Sequence, residues 1–292
     1  MKRLSYFEYR VPKTVEEAIE LFESGGADAR LMAGGTDLLM KMKHGAMTPK
    51  ILISLKKIDG LDTIAFSEKT GLTIGATALL ADVASHPDIV EHYPAVAEAA
   101  RGTANVQVRN MGTVVGNLCN ASPAADNAPT LLAMGATVHI QGAGGKRDLP
   151  LEEFFKGPGL TALRGAEMVT SLSVPLPPAG AGAAYLSLSA RGKLDCTAVG
   201  AAAMVTMKGD VCDDVRLFIA SCGPTPLRAP GAEQIMRGKP ISDDILEKAG
   251  EIATGEASPI TDLRASADYR TRIIAVLAGR AIKAASKRAL AR

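Results

Sequence analysis

Two segments combine residue types and spacings that could do chemistry. The first reads Leu31-Met32-Ala33-Gly34-Gly35-Thr36-Asp37-Leu38. An apolar run entering Gly-Gly and then a helix start would gather several backbone N–H groups on one concave surface. Glycines would let an anion lie close against them. The Thr36 hydroxyl can cap the helix or bond a phosphate. Asp37 would repel a phosphate, so it is expected in the first helical turn, facing the positive end. The same residues also suit an ordinary tight βα turn with a threonine cap. The second segment reads Arg109-Asn110-Met111-Gly112-Thr113-Val114-Val115-Gly116-Asn117-Leu118-Cys119-Asn120-Ala121-Ser122-Pro123-Ala124-Ala125-Asp126. Small and hydrogen-bonding residues with little central charge suit the lining for a long polyhydroxylated ligand. Asp126 is the natural acceptor for a vicinal diol, because an ionised carboxylate only accepts. The segment reads as an irregular loop, and one this long is uncommon in a compact domain unless functional. The bland alternative is Asn and Ser bonding their own backbone.

Rival motifs fail. A P-loop ending at Gly145-Lys146 would need glycine where Ile140 stands and Ser or Thr where Arg147 stands. Gly157-Pro158-Gly159 follows a helical pattern, and its proline breaks a dinucleotide turn. His44, His86, His92 and His139 show no metal-binding spacing and read as structural. Cysteines 119, 196, 212 and 222 form neither a disulfide framework nor a cluster-ligand set, which suits a reducing cytoplasm. Arg264 and Arg270 with Asp262 and Asp268 read as a surface or interface ion-pair cluster.

The elements that must position these segments are legible in outline. Strands are expected over 7–10, 29–33 and 51–55, with helices over 14–24 and from Thr36 to His44. Thr14 and Glu17 form a capping-box pattern, and Gly25-Gly26 and Gly45 supply stops. Further strands are expected at 71–75, 137–141 and 169–174, with helices around 79–85, 89–100 and 129–134. The Pro/Gly-rich stretch 175–180 reads as a linker. Beyond it come strands at 184–189, 198–207 and 215–221 and helices at 243–254 and 267–287. Three lobes are expected, about 1–57, 58–177 and 178–292.

Composition excludes several classes. The 33 basic and 31 acidic residues leave a net charge of +2, too weak and scattered a field to steer nucleic acid. Aromatics make up 4% with no Trp, which argues against base-stacking on single strands. The longest apolar stretch, 198–207, is about half the ~20 residues a spanning helix needs. The N-terminus lacks the apolar run of a secretory signal.

On its two signatures, "MAGGTDLL" and "MGTVVGNLCNASPAAD", the chain resembles the FAD-binding (medium) subunit of the molybdenum hydroxylases. That family includes carbon monoxide dehydrogenase, xanthine dehydrogenase, nicotinate dehydrogenase and 4-hydroxybenzoyl-CoA reductase. Residues 258–282 resemble its closing segment, so the resemblance spans the chain. It implies an α+β fold: a two-lobe FAD-binding domain of the molybdenum hydroxylase/alcohol-oxidase type over 1–177, then a C-terminal α+β domain over 178–292. By the same resemblance, Leu31 to Leu38 would hold the FAD pyrophosphate through backbone N–H groups. Thr103, Gly112, Thr113, Val114, Val115, Gly116 and Asn117 would line the flavin and its pyrophosphate. Asp126 would bond cofactor hydroxyls, and the backbone near Val169 would border the ring. Cys119 and Asn120 fall against the isoalloxazine, though Cys119 reads equally well as a small buried hydrophobe.

Two departures stand out. Relatives often carry Lys where Ser187 aligns here, which leaves the charge near the flavin open between Arg191, Lys193 and neither. The cysteine-rich iron–sulfur insertion of 4-hydroxybenzoyl-CoA reductase is missing, so FAD would be the sole redox centre. The resemblance implies an electron-transfer subunit that passes electrons between [2Fe-2S] clusters and an external acceptor. The molybdenum cofactor would sit in a large partner subunit and the clusters in a small one, in a dimer of heterotrimers. The alternatives are a self-sufficient FAD oxidoreductase of the alcohol-oxidase type and a non-catalytic nucleotide-binding scaffold.

Overall fold

The computed structural model describes residues 3–190, 192 and 196–291. The chain opens with β1 (Glu8–Arg10) and α1 (Val15–Gly25). Thr14 caps α1 by accepting from the Glu17 N–H at 3.1 Å, and Glu17 reaches back to the Lys13 N–H at 2.7 Å. A 3-10 turn leads to β2 (Ala29–Met32), α2 (Leu38–His44) and β3 (Ile51–Ser54). β3 lies between β1 and β2, parallel to both. Gly45 closes α2 at φ +75°, as its C′ position requires.

The second lobe begins with β4 (Ile64–Ser67) and β5 (Gly71–Gly75). Six short helices follow: α3 (Leu80–Ser85), α4 (Pro87–His92), α5 (Pro94–Gly102), α6 (Val106–Arg109), α7 (Val114–Cys119) and α8 (Asn127–Ala133). The hairpin β6 (Thr137–Gly142) and β7 (Gly145–Pro150) leads through α9 (Leu151–Phe154) to two short strands, β8 (Phe155–Gly157) and β9 (Leu160–Thr161). β10 (Met168–Val174) then returns through the centre of an antiparallel sheet ordered β4-β5-β10-β6-β7. Alternate residues Leu72, Ile74, Val138, Ile140, Leu172 and Val174 point inward and are buried. With Ile53 and Leu55 of the first lobe they form one continuous core, so the two lobes are a single packed body.

The third lobe holds β11 (Ala181–Leu188), β12 (Val199–Lys208), β13 (Val211–Ala220) and β14 (Leu227–Arg228), an antiparallel sheet in that order. α10 (Pro230–Met236), α11 (Asp243–Glu256) and α12 (Ala267–Leu290) cover one face and enclose a second core. Ala202 and Phe218, on the other face, join the first core. Among the described residues no helix is long and apolar enough to cross a membrane.

The expected α+β architecture is present, and several expectations need correction. Segment 109–126 is not irregular, because it contains α7 and the last residue of α6. Its Val-Val-Gly composition masks the helix, and Thr113, accepting from the Gly116 N–H at 2.9 Å, stabilises its start. The helix expected over 89–100 breaks at Pro94, which has no N–H to continue α4. A further helix, α10, begins on Pro230, whose missing N–H costs nothing at a helix's first position. β7, rich in charge, is the edge strand of its sheet, where alternation of apolar residues is not required. Arg270 is not a surface residue. It is 2% exposed and bonds Asp262 at 2.6 Å, while Asp268 pairs with exposed Arg272.

α12 can lie directly on β11 because Gly182 has no side chain. A Cβ there would collide with the Ala285 carbonyl and the Ala289 N–H and stand 2.8 Å from the Arg288 carbonyl carbon. Gly182→Ala should therefore destabilise the chain by about 1–3 kcal/mol, the cost of overpacking a filled interior. A melting temperature equal to the parent's would show that the helix shifts freely.

Candidate functional site

One cleft of about 560 Å³ runs between the first two lobes. Its walls meet where Gly34 of the β2–α2 loop touches Met111 and Gly112 of the α6–α7 loop. A Cβ on Gly34 would collide with the Met111 carbonyl oxygen and stand 2.7 Å from the Gly112 Cα. On Gly112 a Cβ would approach the Thr36 hydroxyl at 3.3 Å. Glycine at both positions thus lets two backbones pack without intervening side chains. Gly35 stands at φ +74°, a left-handed conformation that turns the chain into α2. No described residue accepts from the N–H groups of Gly34, Gly35, Thr36 or Asp37, all of which line the cleft. Unpaired main-chain donors on a cleft wall are an anion cradle.

Polar side chains along the wall are held by partners that leave specific atoms free. Asn127 is buried and donates at 3.1 Å to both Thr103 Oγ1 and Asn117 Oδ1. With its oxygen so engaged, Asn117 keeps its amide hydrogens for a ligand. Lys41 Nζ donates to Asn120 Oδ1 at 2.6 Å across the cleft, placing a cation on a wall that also carries Arg30, Asp37, Asp126 and Glu167. Asp37 occupies the N-cap position of α2 but makes no capping bond, and Thr36 makes none either. The expected threonine cap is therefore not made, and Asp37 stands at the N-cap position, one residue before the first turn where it was expected: α2 starts at Leu38 without a side-chain cap. Burial pushes the Asp37 carboxyl above its ordinary range, and nearby Lys41 opposes that shift. Burial pushes the Cys119 thiol up to about 12, which suits the small-hydrophobe reading over a reactive thiolate.

The third lobe completes the wall at Asp126. Tyr185 Oη donates to Asp126 Oδ1 at 2.7 Å and Thr197 Oγ1 to the same oxygen at 2.5 Å. Oδ2 has no partner among the described residues. Gly200 makes room for this contact, since a Cβ there would stand 2.7 Å from the Tyr185 hydroxyl. Burial pushes the Asp126 carboxyl up, and the hydrogen bonds from Thr197 and Tyr185 only partly oppose it.

The structure brings nearly all the sequence-derived candidates onto this cleft: Leu31 to Leu38, Thr103, Gly112, Thr113, Val115 to Asn117, Cys119, Asn120, Asp126 and Val169. Val169 borders a β-bulge in β10 that displaces Thr170 from the β6 ladder. Val114, the first residue of α7, is buried in the core, and Ser187 is exposed on β11 opposite Gly200; neither is in the cleft lining. Arg191 and Lys193 lie outside the described residues. Lys41, Ala104, Met168 and Cys196 also line the cleft and were missed. Lys41 is four residues from Asp37 on a short helix, a spacing that could have flagged it. His139 bridges Asp148 at 2.7 Å and Ser173 at 2.9 Å across β7, β6 and β10. These three groups lie on the sheet and not among the residues that line the cleft, and Ser173 stands next to last in β10, paired with both β5 and β6.

Residues 5–177 match the family model described as the FAD binding domain in molybdopterin dehydrogenase. Residues 184–285 match the CO dehydrogenase flavoprotein C-terminal domain. The carbon monoxide dehydrogenase medium chain of Hydrogenophaga pseudoflava is 34% identical over 279 residues, covering 96% of both chains. The medium chain from Afipia carboxidovorans is 32% identical over 283 residues, covering 97% of this chain and 98% of its own. A solved structure of carbon monoxide dehydrogenase from H. pseudoflava superposes with a TM-score of 0.95, covering 98% of this chain and 99% of that one.

A buried carboxyl whose folded pKa lies above its unfolded value loses stability as pH rises between the two. Asp126 is such a group. Asp126→Asn should therefore raise the melting temperature of the cofactor-free chain at pH 7. The gain should shrink as pH is lowered toward the ordinary carboxyl range. A loss of stability at pH 7 would mean that the Tyr185 and Thr197 bonds outweigh the burial cost.

Proposed function

The chain belongs to the family of FAD-binding subunits of molybdopterin dehydrogenases, and we propose that its cleft holds one non-covalent FAD between the first two lobes. Residues 1–177 form the FAD-binding domain and 178–292 the flavoprotein C-terminal domain. The observation that carries this reading is the convergence of both glycine signatures on one cleft, with the N–H groups of Gly34 to Asp37 unpaired there. The residues present fit the cofactor. The four donors, with Lys41 nearby, suit a doubly charged pyrophosphate. Asp126 Oδ2 and the Asn117 amide suit sugar or ribityl hydroxyls. Val169, Met168 and Cys119 give an apolar strip for the ring.

When bound, FAD supplies an electron carrier, and this chain provides its binding, orientation and shielding. No residue here need act as general acid or base on a substrate. Substrate chemistry belongs to a large molybdopterin-binding partner, and a small [2Fe-2S] partner relays electrons to or from this subunit and its external acceptor. The assembly is read as a dimer of heterotrimers with two-fold symmetry. Four free cysteines suit a cytoplasmic, reducing compartment.

The purified chain should carry one FAD per copy, released by acid into the supernatant. Gly35→Asp should abolish retention of FAD on dialysis, while Gly35→Asn should retain part of it. Asn shares the shape and tolerates φ above zero, so the contrast isolates the charge set against the phosphates. Full retention in the Asp variant would place the pyrophosphate elsewhere. Without partners, the FAD-loaded chain should not be bleached by N-heterocycles, aldehydes or aromatic acyl-CoA compounds. Rapid bleaching would replace the subunit reading with a self-sufficient oxidoreductase.

A further inference from the structure

Both hydrogen bonds that Asp126 receives come from the third lobe, and the hydroxyl of Thr197 is one donor. The Thr197 carbonyl in turn accepts from Ser221 Oγ at 2.9 Å. The Ser221 N–H donates to the Pro123 carbonyl at 2.8 Å, which pins the loop that carries Asp126. Ser221 stands at φ +64°, a left-handed conformation that a non-glycine residue holds only when its surroundings enforce it. The enforcing group is Arg270. Its Nη1 donates to the Ser221 carbonyl at 2.6 Å and its Nη2 to Asp262 Oδ1 at 2.6 Å.

Arg270 is fully enclosed, and taking a guanidinium out of water is costly even with a carboxylate beside it. If it served only to glue the C-terminal core, apolar packing of equal volume would do as well. Its second anchor is instead the backbone of the one residue that bonds both Thr197 and Pro123. The other non-glycine residues at positive φ among those described are Ala104, on the cleft wall, and Ala121, between wall residues Asn120 and Ser122. Strained backbone is thus concentrated around the same cleft wall.

We propose that Arg270 is a positioning residue for the cofactor: anchored by Asp262, it locks Ser221 and, through Thr197 and Pro123, aims the Asp126 carboxylate into the cleft. This rests on the reading of Asp126 as a ligand of FAD hydroxyls. The third lobe is then part of the cofactor site, reaching the wall through Cys196 and through the hydrogen bonds of Tyr185, Thr197 and Ser221.

The test is a fluorescence titration of the full chain with FAD, in the parent and in Arg270→Met, Arg270→Lys and Ser221→Gly. Each variant is made alone and together with Asp126→Ala. Arg270→Met should weaken FAD binding about tenfold, the scale of one hydrogen bond to a charged group. Arg270→Lys keeps the charge and should recover part of that loss. Ser221→Gly adopts the left-handed conformation without strain, so it should fold at least as stably as the parent yet bind FAD more weakly. In the Asp126→Ala background none of the three should weaken binding further, because the carboxylate they aim is gone. Equal losses in both backgrounds would make Arg270 a merely structural residue and overturn the proposal. Parent-like affinity in Ser221→Gly and Arg270→Lys would also overturn it, and these two variants decide the matter if Arg270→Met does not fold. If Asp126→Ala alone binds FAD like the parent, the ligand reading fails and the proposal fails with it.

Discussion

Gly34 can rest against Met111 and Gly112 only because it has no side chain. A Cβ would stand 2.7 Å from the Gly112 Cα and collide with the Met111 carbonyl. This backbone-to-backbone approach brings together, at the cleft, two lobes that share a core but carry distinct sheets, one parallel and three-stranded, the other antiparallel and five-stranded. Everything chemical about the cleft depends on it. Side chains at the junction would hold the walls apart and fill the space before the N–H groups of Gly34 to Asp37. A protein with few aromatics has little else with which to grip a large cofactor, and close backbone approach takes the place of stacking.

The two lobes form the cleft and the third lobe stiffens it. Tyr185 and Thr197 hold one oxygen of Asp126, and Ser221 holds Pro123 just before it in sequence. Burial pushes the carboxyls of Asp37 and Asp126 above their ordinary range, and three alanine or serine residues near the wall are held left-handed. Such features cost stability in the empty chain and are characteristic of a site organised before its ligand arrives. Family membership explains what that ligand is, and the cleft explains how the chain contributes to a redox enzyme.

Much of this was legible from residues close in sequence. Gly34-Gly35, Gly112 and Gly116 announced close backbone approach, Thr14 and Gly45 marked helix ends, and residues 175–180 marked the passage between the second and third sheets. The alternation in β5, β6 and β10 gave three strands of the second sheet. Pairs far apart in sequence were not legible. Lys41 meets Asn120 and Tyr185 meets Asp126 through the tertiary fold, and nothing in either local sequence signals its partner. Arg270 looked like one charge among several near a helix start, and only packing shows it enclosed. α7 was hidden because Val114-Val115-Gly116 has weak helix propensity, and its stability comes from burial of Val114, Val115 and Leu118 and from the Thr113 cap.

The central claim is that glycine contact between the lobes creates the cofactor site. Gly34→Ala tests it with one added carbon and no backbone strain, since Gly34 is not among the residues at positive φ. The measurement is the FAD dissociation constant of the full chain, with circular dichroism to confirm that the chain remains folded. The account predicts a folded chain with FAD binding weakened at least tenfold. A folded Gly34→Ala chain that binds FAD as tightly as the parent would contradict it.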